Sequence, residues 1–195
     1  MSAERRAASS PAGAWAVRLA KNMLWILPLV ALVWALLTPI YNRFLVNGAE
    51  RLVRLTESPA QTHLALRDGE FAVATRADFG SRAQEIKRGH VTDVHFNVLL
   101  LATLFLAVPG IPPAERFGNL AVALICAAFF HLLLLAALVK FNYATQLGDY
   151  SVAHYGPVAR NVYGLFAHLM DLPFKFGLPL ILWAAFYLRR LPGRE

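Results

Sequence analysis

The sequence is poor in cysteine and in charged residues. Its 195 residues include one cysteine, Cys126, so no disulfide can form within the chain and no cysteine-rich metal site can be built. Charged residues make up 16% of the chain, against about a quarter in a typical soluble domain. Hydrophobic residues make up 57%. The chain therefore lacks the polar surface that a soluble domain of this size needs.

The motifs of common enzymes are missing as well. The chain has no His-Glu-x-x-His zinc motif, no Gly-x-Ser-x-Gly nucleophile turn and no phosphate-binding glycine loop. It shows no internal repeat and few polar residues within its apolar segments, which argues against a transporter. A homo-oligomeric pore needs a polar stripe along one helix, and none is visible. The sequence therefore predicts no enzyme, no cofactor and no metal site.

The sequence does contain four apolar blocks of about the length that crosses a bilayer. A helix needs roughly 20 apolar residues to span a hydrocarbon core of about 30 Å. The blocks predict transmembrane helices at residues 23–40, 94–113, 119–139 and 174–188. The first block is too long for a signal peptide and lacks a small-x-small cleavage site. The expected fold class is an α-helical polytopic membrane protein with a small α+β extracytoplasmic insertion.

That insertion is predicted over residues 41–92, the longest polar part of the chain. Apolar residues recur there at helical spacing, at Leu45, Leu52 and Leu55, which predicts an amphipathic helix over 44–57 on the membrane surface.

A β-hairpin is expected after this helix. The dipeptide Asp68-Gly69 suits the positive backbone angles of a tight turn between strands at 62–67 and 70–76. A third strand near 91–96 could pair with them.

The charge distribution predicts the orientation. The net charge is +7, with four Lys or Arg in residues 1–22 and three after residue 188. Cytoplasmic flanks of membrane helices are enriched in Lys and Arg, so 1–22 and 189–195 are expected to be cytoplasmic tails. The 41–92 insertion and the 140–173 segment, a loop with an interfacial helix, are then extracytoplasmic. Since the bases flank apolar blocks, the expected partner is the membrane rather than nucleic acid.

Several polar residues lie at the predicted outer ends of the helices. These residues are Asp93, His95, Asn97, Lys140, Asn142, His168, Asp171 and Lys175. Ionisable groups at membrane depth are costly, so they usually pair or line a site. They could form a polar pocket for a peptide or a lipid headgroup, or they could be ordinary interfacial residues with snorkelling lysines. A pocket predicts that Asp93 or His95 reaches residues 140–143 or 168–175.

His131 lies within the third apolar block. Cys126 is five residues away, and about 100° per residue rotates the two side chains apart, so they cannot share a metal. A neutral histidine that bonds to a neighbouring helix is expected.

The run DVHFNVLLLATLFLAVPG at residues 93–110 resembles the exosortase H-associated membrane proteins. The similarity extends to the length of the chain and to a first helix followed by a polar domain. It implies an accessory role beside an exosortase in the inner membrane of a Gram-negative bacterium. Exosortases themselves use a Cys, an Arg and a His on separate segments, whereas Cys126 and His131 share one segment here. The resemblance therefore carries over no catalytic residues.

Two hypotheses follow. The first is a non-catalytic accessory protein of the inner membrane that binds another integral membrane protein, expected to be an exosortase, among membrane lipids. The second is a membrane enzyme or a lipid- or peptide-binding protein that uses the polar cluster at the outer boundary.

Overall fold

The computed structural model describes residues 11–59, 61–79, 84–169 and 173–190, the side chains of residues 11 and 84–89 excepted. Its helices are α1 (Pro11–Leu55), α2 (Val91–His95), α3 (Val98–Ala107), α4 (Pro113–Thr145), α5 (Asp149–His154), α6 (Pro157–Leu169) and α7 (Lys175–Tyr187). Its strands are β1 (His63–Arg67), β2 (Phe71–Thr75) and β3 (Gln84–His90). The chain is thus mostly helical with a small sheet.

Two of the described helices, α1 and α4, are long and apolar enough to cross a membrane. With 45 residues, α1 is roughly 68 Å long, more than twice the thickness of a hydrocarbon core. With 33 residues, α4 is roughly 50 Å long. It begins at Pro113, ahead of the predicted 119–139, because proline suits the first position of a helix.

The helix predicted over 44–57 is present up to Leu55 as the continuation of the preceding apolar segment. The helix α1 runs without a break through the described part of the predicted tail, the first predicted span and this segment. Leu45, Ala49 and Val53 form a buried stripe in a hydrophobic cluster with α4 and the sheet, so this face is buried against protein. The two helices approach closely at Gly48, where an added Cβ would lie 2.4 Å from Leu132 Cδ2. Tertiary packing therefore extends α1 beyond its apolar block, as far as Leu55.

The predicted hairpin is confirmed. Strands β1 and β2 pair antiparallel around Asp68 and Gly69, whose φ angles are +57° and +75°. The strand order is β1-β2-β3, so β1 is an edge strand. The third strand predicted near 91–96 is wrong, since β3 ends at His90 and α2 follows at once. Burial of Val91, Val94 and His95, at helical spacing, favours the helix.

The remaining apolar helices are short. Only Phe96 and Asn97 separate α2 from α3, and α3 ends at Ala107 because Pro109 and Gly110 follow, where 94–113 was predicted. The helix α7 has 13 residues, roughly 20 Å, and a 3-10 turn to Arg190 extends it. Neither matches a 30 Å core by itself, so the described residues contain two helices of spanning length where four were predicted.

Two hydrophobic clusters hold the fold together. The first joins α1, the sheet and α4 around Leu45, Leu64 and Leu135. The second joins α3, α4 and α7 around Phe105 and Tyr187.

Candidate functional site

A hydrogen-bonded group of polar side chains, here called the histidine network, connects the helices between the two hydrophobic clusters. Its members are Trp34, Tyr41 and Asn42 of α1, His95 of α2, His131 of α4, and Asn97 between α2 and α3. His95 and His131 are 1% and 2% exposed. On α4, His131 lies one turn from Ala127 of one cluster and one turn from Leu134 of the other. The network therefore forms a polar layer inside an apolar bundle.

One half of the network is built around His95. The indole Nε1 of Trp34 lies 3.2 Å from His95 Nδ1 and can only donate, so Nδ1 accepts and the ring proton is on Nε2. His95 Nε2 donates to Asn42 Oδ1 at 2.8 Å. The amide of Asn42 in turn donates to the carbonyl of Gly69 at 3.1 Å. His95 is therefore neutral, and this chain of bonds connects the hairpin turn to α1 and α2.

The other half repeats the same order of donors around His131. The side-chain amide of Asn97 donates to the carbonyl of Lys175 at 2.9 Å, so its oxygen faces His131 Nε2 and accepts at 2.9 Å. The hydroxyl of Tyr41 donates to His131 Nδ1 at 2.9 Å. The bonds to neighbouring helices predicted for His131 are confirmed, and they join α1, α4 and the start of α7.

The geometry of α1 explains why both halves begin on this helix. Trp34 and Tyr41 are seven residues apart, which is two turns, so their side chains emerge on the same face. That face meets α2 and α4, where each aromatic ring packs against a histidine. The Tyr41 ring lies edge-on to His95 at 4.8 Å between centroids. Aromatic donors on one helical face thus set the tautomers of both histidines.

A second group, here called the charge cluster, attaches the sheet to α4. Its members are Glu57, Thr62, Arg76, Asp78, Lys140 and Tyr143. Glu57 Oε1 accepts from Thr62 Oγ1 at 2.6 Å and from Arg76 Nη1 at 2.5 Å, and Lys140 Nζ lies 3.6 Å away. The side chains of Glu57 and Arg76 are 4% and 10% exposed. Arg76 also makes a two-pronged bond to Asp78.

Electrostatics keep the carboxylates of this cluster ionised. Burial opposes the charge on Glu57, but hydrogen bonds from Thr62 and the charges of Lys140 and Arg76 outweigh it and lower the pKa of Glu57. Hydrogen bonds from Arg76 lower the pKa of Asp78. The negative charges of Glu57 and Asp78 then balance the positive charges of Arg76 and Lys140. The cluster is neutral overall, which suits a buried attachment point.

The chemistry available to both groups is limited by enclosure. The gap beside Asn97 and His131 admits at most a water molecule. Each histidine uses both ring nitrogens in bonds within the network. Among the described residues, no three His, Cys, Asp or Glu side chains come together as a metal site requires. Both groups are thus suited to holding segments of the chain in a fixed relation to one another.

The structure divides the eight residues of the predicted outer cluster. His95 and Asn97 belong to the histidine network, and Lys140 to the charge cluster. Asn142 is buried near the end of α4, and Lys175 places its ammonium 5.1 Å from the Phe96 ring.

Of the other three members, two lie apart from these groups and the third lies outside the described residues. Asp93 is exposed, His168 is exposed with its ring 6.0 Å from Phe141, and Asp171 lies outside the described residues.

The specific contact predicted for a shared pocket is wrong. Among the described residues, neither Asp93 nor His95 bonds to residues 140–143 or 168–175. The reason is rotation: Val94 and His95 face the core, so Asp93 points outward about 100° from its neighbour. Asn97 instead makes the bond to Lys175.

Sequence reasoning missed Trp34, Glu57, Arg76 and Tyr143. The seven-residue spacing between Trp34 and Tyr41 on a helix indicates that both side chains face the same neighbours. Glu57 and Arg76 lie on either side of the hairpin, and no local pattern indicates that they pair.

Comparisons with protein-family models, with curated proteins and with solved structures found no match to this chain.

Proposed function

We propose that the chain is a multi-pass protein of a bacterial inner membrane that crosses the bilayer four times. The crossings are α1, the α2–α3 unit, α4 and α7. Uncovered apolar side chains support this placement, because α1 exposes Leu24, Leu29 and Ile40 at 66–73% of their surface. Such a belt is unfavourable in water and ordinary in lipid.

The grouping of basic residues supports an orientation with both termini in the cytoplasm. Asn22 near the start of α1 donates to the carbonyl of Ala107, and Arg190 pairs with Glu115. These contacts bring together the start of α1, the end of α3, the start of α4 and the end of α7. The basic residues at this end are Arg18, Lys21, Arg116, Arg189 and Arg190. By the positive-inside rule this end faces the cytoplasm, and the sheet lies outside.

Within this topology the chain acts as a non-catalytic accessory protein that binds another integral membrane protein. One observation carries this proposal: both buried histidines of the histidine network use both ring nitrogens in bonds to other side chains of the chain. A catalytic site would leave some of these groups facing a space that admits a substrate. The resemblance of residues 93–110 to exosortase H-associated proteins makes an exosortase the proposed partner.

Co-purification after solubilisation in a mild detergent tests the proposal. The chain, tagged and expressed at its native level, is expected to elute with an integral membrane protein in a fixed ratio. The His131→Leu/Asn97→Leu double variant, which removes one half of the network without leaving an unpaired group between these two side chains, is expected to retain the partner. Elution of the chain alone, together with loss of cellular function in that folded double variant, would contradict the accessory role and favour an enzyme.

A further inference from the structure

Helix α6 carries its large apolar side chains on its exposed face. They are 43–76% exposed and recur at intervals of three and four residues, so they form one stripe, here called the α6 stripe: Val158, Val162, Leu165, Phe166 and Leu169. Ala167, which is 3% exposed and packs in the hydrophobic cluster around Leu135, lies about 140° around the helix from Val162. A surface helix of a soluble protein has the reverse arrangement, with its large apolar side chains buried.

The contact between α6 and α4 sets the level of the stripe. The His168 ring lies 6.0 Å from the Phe141 ring between centroids, and an added Cβ at Gly164 would lie 3.5 Å from Phe141 Cε2. Roughly 38 Å of α4 separates Phe141 from Arg116, which belongs to the basic group at the proposed cytoplasmic end. A hydrocarbon core is about 30 Å thick. Phe141, and α6 with it, therefore lies at the level of the outer headgroups.

The helix α7 begins below this level. Phe174, the residue before α7, stacks on Phe130 of α4 with 5.8 Å between the ring centroids. Phe130 lies roughly 21 Å from Arg116 along α4, so α7 begins about 9 Å inside a 30 Å core. Since α7 and its 3-10 extension end at Arg190, at the cytoplasmic end, they fill about the inner two thirds of the fourth crossing. The outer third is left to the part of the chain that precedes α7.

The composition of α6 favours phospholipid as the partner of the stripe. Pro157–Leu169 contains no Asp or Glu, and its basic side chains, Arg160 and His168, lie outside the stripe. Cations on the sides of an apolar face match a layer in which phosphates lie above acyl chains. At the level of the outer headgroups, acyl chains are also the apolar groups that an uncovered stripe meets.

We infer that the α6 stripe inserts among the acyl chains of the outer leaflet, so that α6 lies in the membrane interface and completes the fourth crossing above α7. This inference rests on the proposed four-crossing topology. It gives the interfacial helix expected within residues 140–173 its depth and its lipid-facing side chains. The apolar face of such a helix is buried about 5–10 Å into the boundary between headgroups and acyl chains.

Site-directed spin labelling of the full chain tests the inference. Single cysteines in a Cys126→Ala background carry a nitroxide, in nanodiscs of phosphatidylcholine and phosphatidylglycerol. Relaxation of the nitroxide is measured with oxygen, which partitions into lipid, and with a water-soluble nickel chelate. Val162→Cys lies in the stripe, and Asn161→Cys, also exposed but about 100° away around the helix, is its matched control. The label at Val162 is expected about 5–10 Å below the phosphates, and the label at Asn161 at their level or in water.

Two further measurements keep the test independent of one variant. Leu169→Cys and His168→Cys form a second pair of adjacent, exposed positions with the same angular relation, and they are expected to repeat the difference. Leu32→Cys on α1, where the side chain is 60% exposed, is the reference for the bilayer. Its label is expected in the hydrocarbon core, where oxygen reaches it and the nickel chelate does not.

Two outcomes would overturn the inference. Equal access of the nickel chelate to both members of each pair means that the stripe faces water. Exclusion of both reagents from Val162, or a spectrum that broadens as the number of chains per disc rises, means that a second copy covers the stripe. If Leu32 lies in the core while Val162 faces water, the assignment of α6 fails and the membrane placement of α1 stands; if Leu32 faces water too, the proposed topology itself fails.

Discussion

The rings of His95 and His131 lie 6.4 Å apart between centroids, yet each histidine bonds to side chains from other segments and not to the other histidine. Each accepts from an aromatic donor of α1 and donates to an asparagine. The pair therefore works as two neutral connectors in an apolar bundle, and the predictions about stability follow from that arrangement.

Removal of both partners of the His131–Asn97 bond is expected to cost less than the sum of the two single removals. Asn97→Leu leaves His131 Nε2 and the carbonyl of Lys175 without their bonds, and the free energy of unfolding should fall by about 1–2 kcal/mol. His131→Leu/Asn97→Leu should lose less than the sum of the single variants. Denaturant titration in detergent micelles measures the difference, with Asn161→Leu on exposed α6 as control. Additive losses would show that the two side chains are energetically independent.

Glu57→Gln is expected to loosen the sheet from α4. The substitution leaves Lys140 without its carboxylate partner and Arg76 with that of Asp78 alone, and breaking a buried ion pair in this way typically costs about 3–5 kcal/mol. Hydrogen exchange of β1 and β2 should rise while exchange in α3 is unchanged. Asp68→Asn, at a carboxylate that is 78% exposed, is the control and should have little effect. Equal exchange in both variants would mean that apolar contacts alone hold the sheet.

The same carboxylate predicts a pH dependence. Because the folded state lowers the pKa of Glu57 below its ordinary value of 4.5, its stabilising effect is fully present above that pH. The effect is lost as pH falls through the lower, folded pKa. Protection of β1 should therefore be constant from neutral pH to about pH 5 and decrease at more acidic pH. In Glu57→Gln the decrease should be smaller, and an identical acid profile would assign the transition to another group.

Two glycines with open surroundings should respond in opposite ways to alanine. An added Cβ meets nothing within 4 Å at Gly69 or at Gly118, so sterics do not distinguish them. Gly69 has a φ of +75° in the hairpin turn, and Gly69→Ala should destabilise by about 1 kcal/mol. Gly118 lies within α4, and Gly118→Ala should stabilise by up to about 1 kcal/mol. Thermal unfolding of both variants provides the comparison, and destabilisation of both would contradict it.

The proposed topology predicts the accessibility of single cysteines. In a Cys126→Ala background, Asp68→Cys should react with a membrane-impermeant maleimide in spheroplasts. Ala12→Cys should react only after the membrane is permeabilised, because the start of α1 is placed in the cytoplasm. Both positions are exposed, so burial does not limit the reaction. Labelling of both in sealed spheroplasts would exclude this orientation.

The sequence by itself determined the elements that depend on local physics. Apolar runs required long helices at α1 and α4, and Asp68-Gly69 produced the hairpin because both residues tolerate positive φ. His131 was expected to need a partner, since an unpaired ring nitrogen is costly in an apolar bundle.

Only the tertiary structure decided which partners meet. The rotation of α2 turns Asp93 outward and His95 inward, and no local pattern reports that angle. Glu57 finds Arg76 and Lys140 because the sheet folds back onto α4, a contact between segments far apart in the chain. The helix α1 continues past its apolar block because burial of Leu45 and Val53 favours the helix there. Periodicity indicates which side of an element is apolar, whereas the specific neighbour depends on how all the elements pack together.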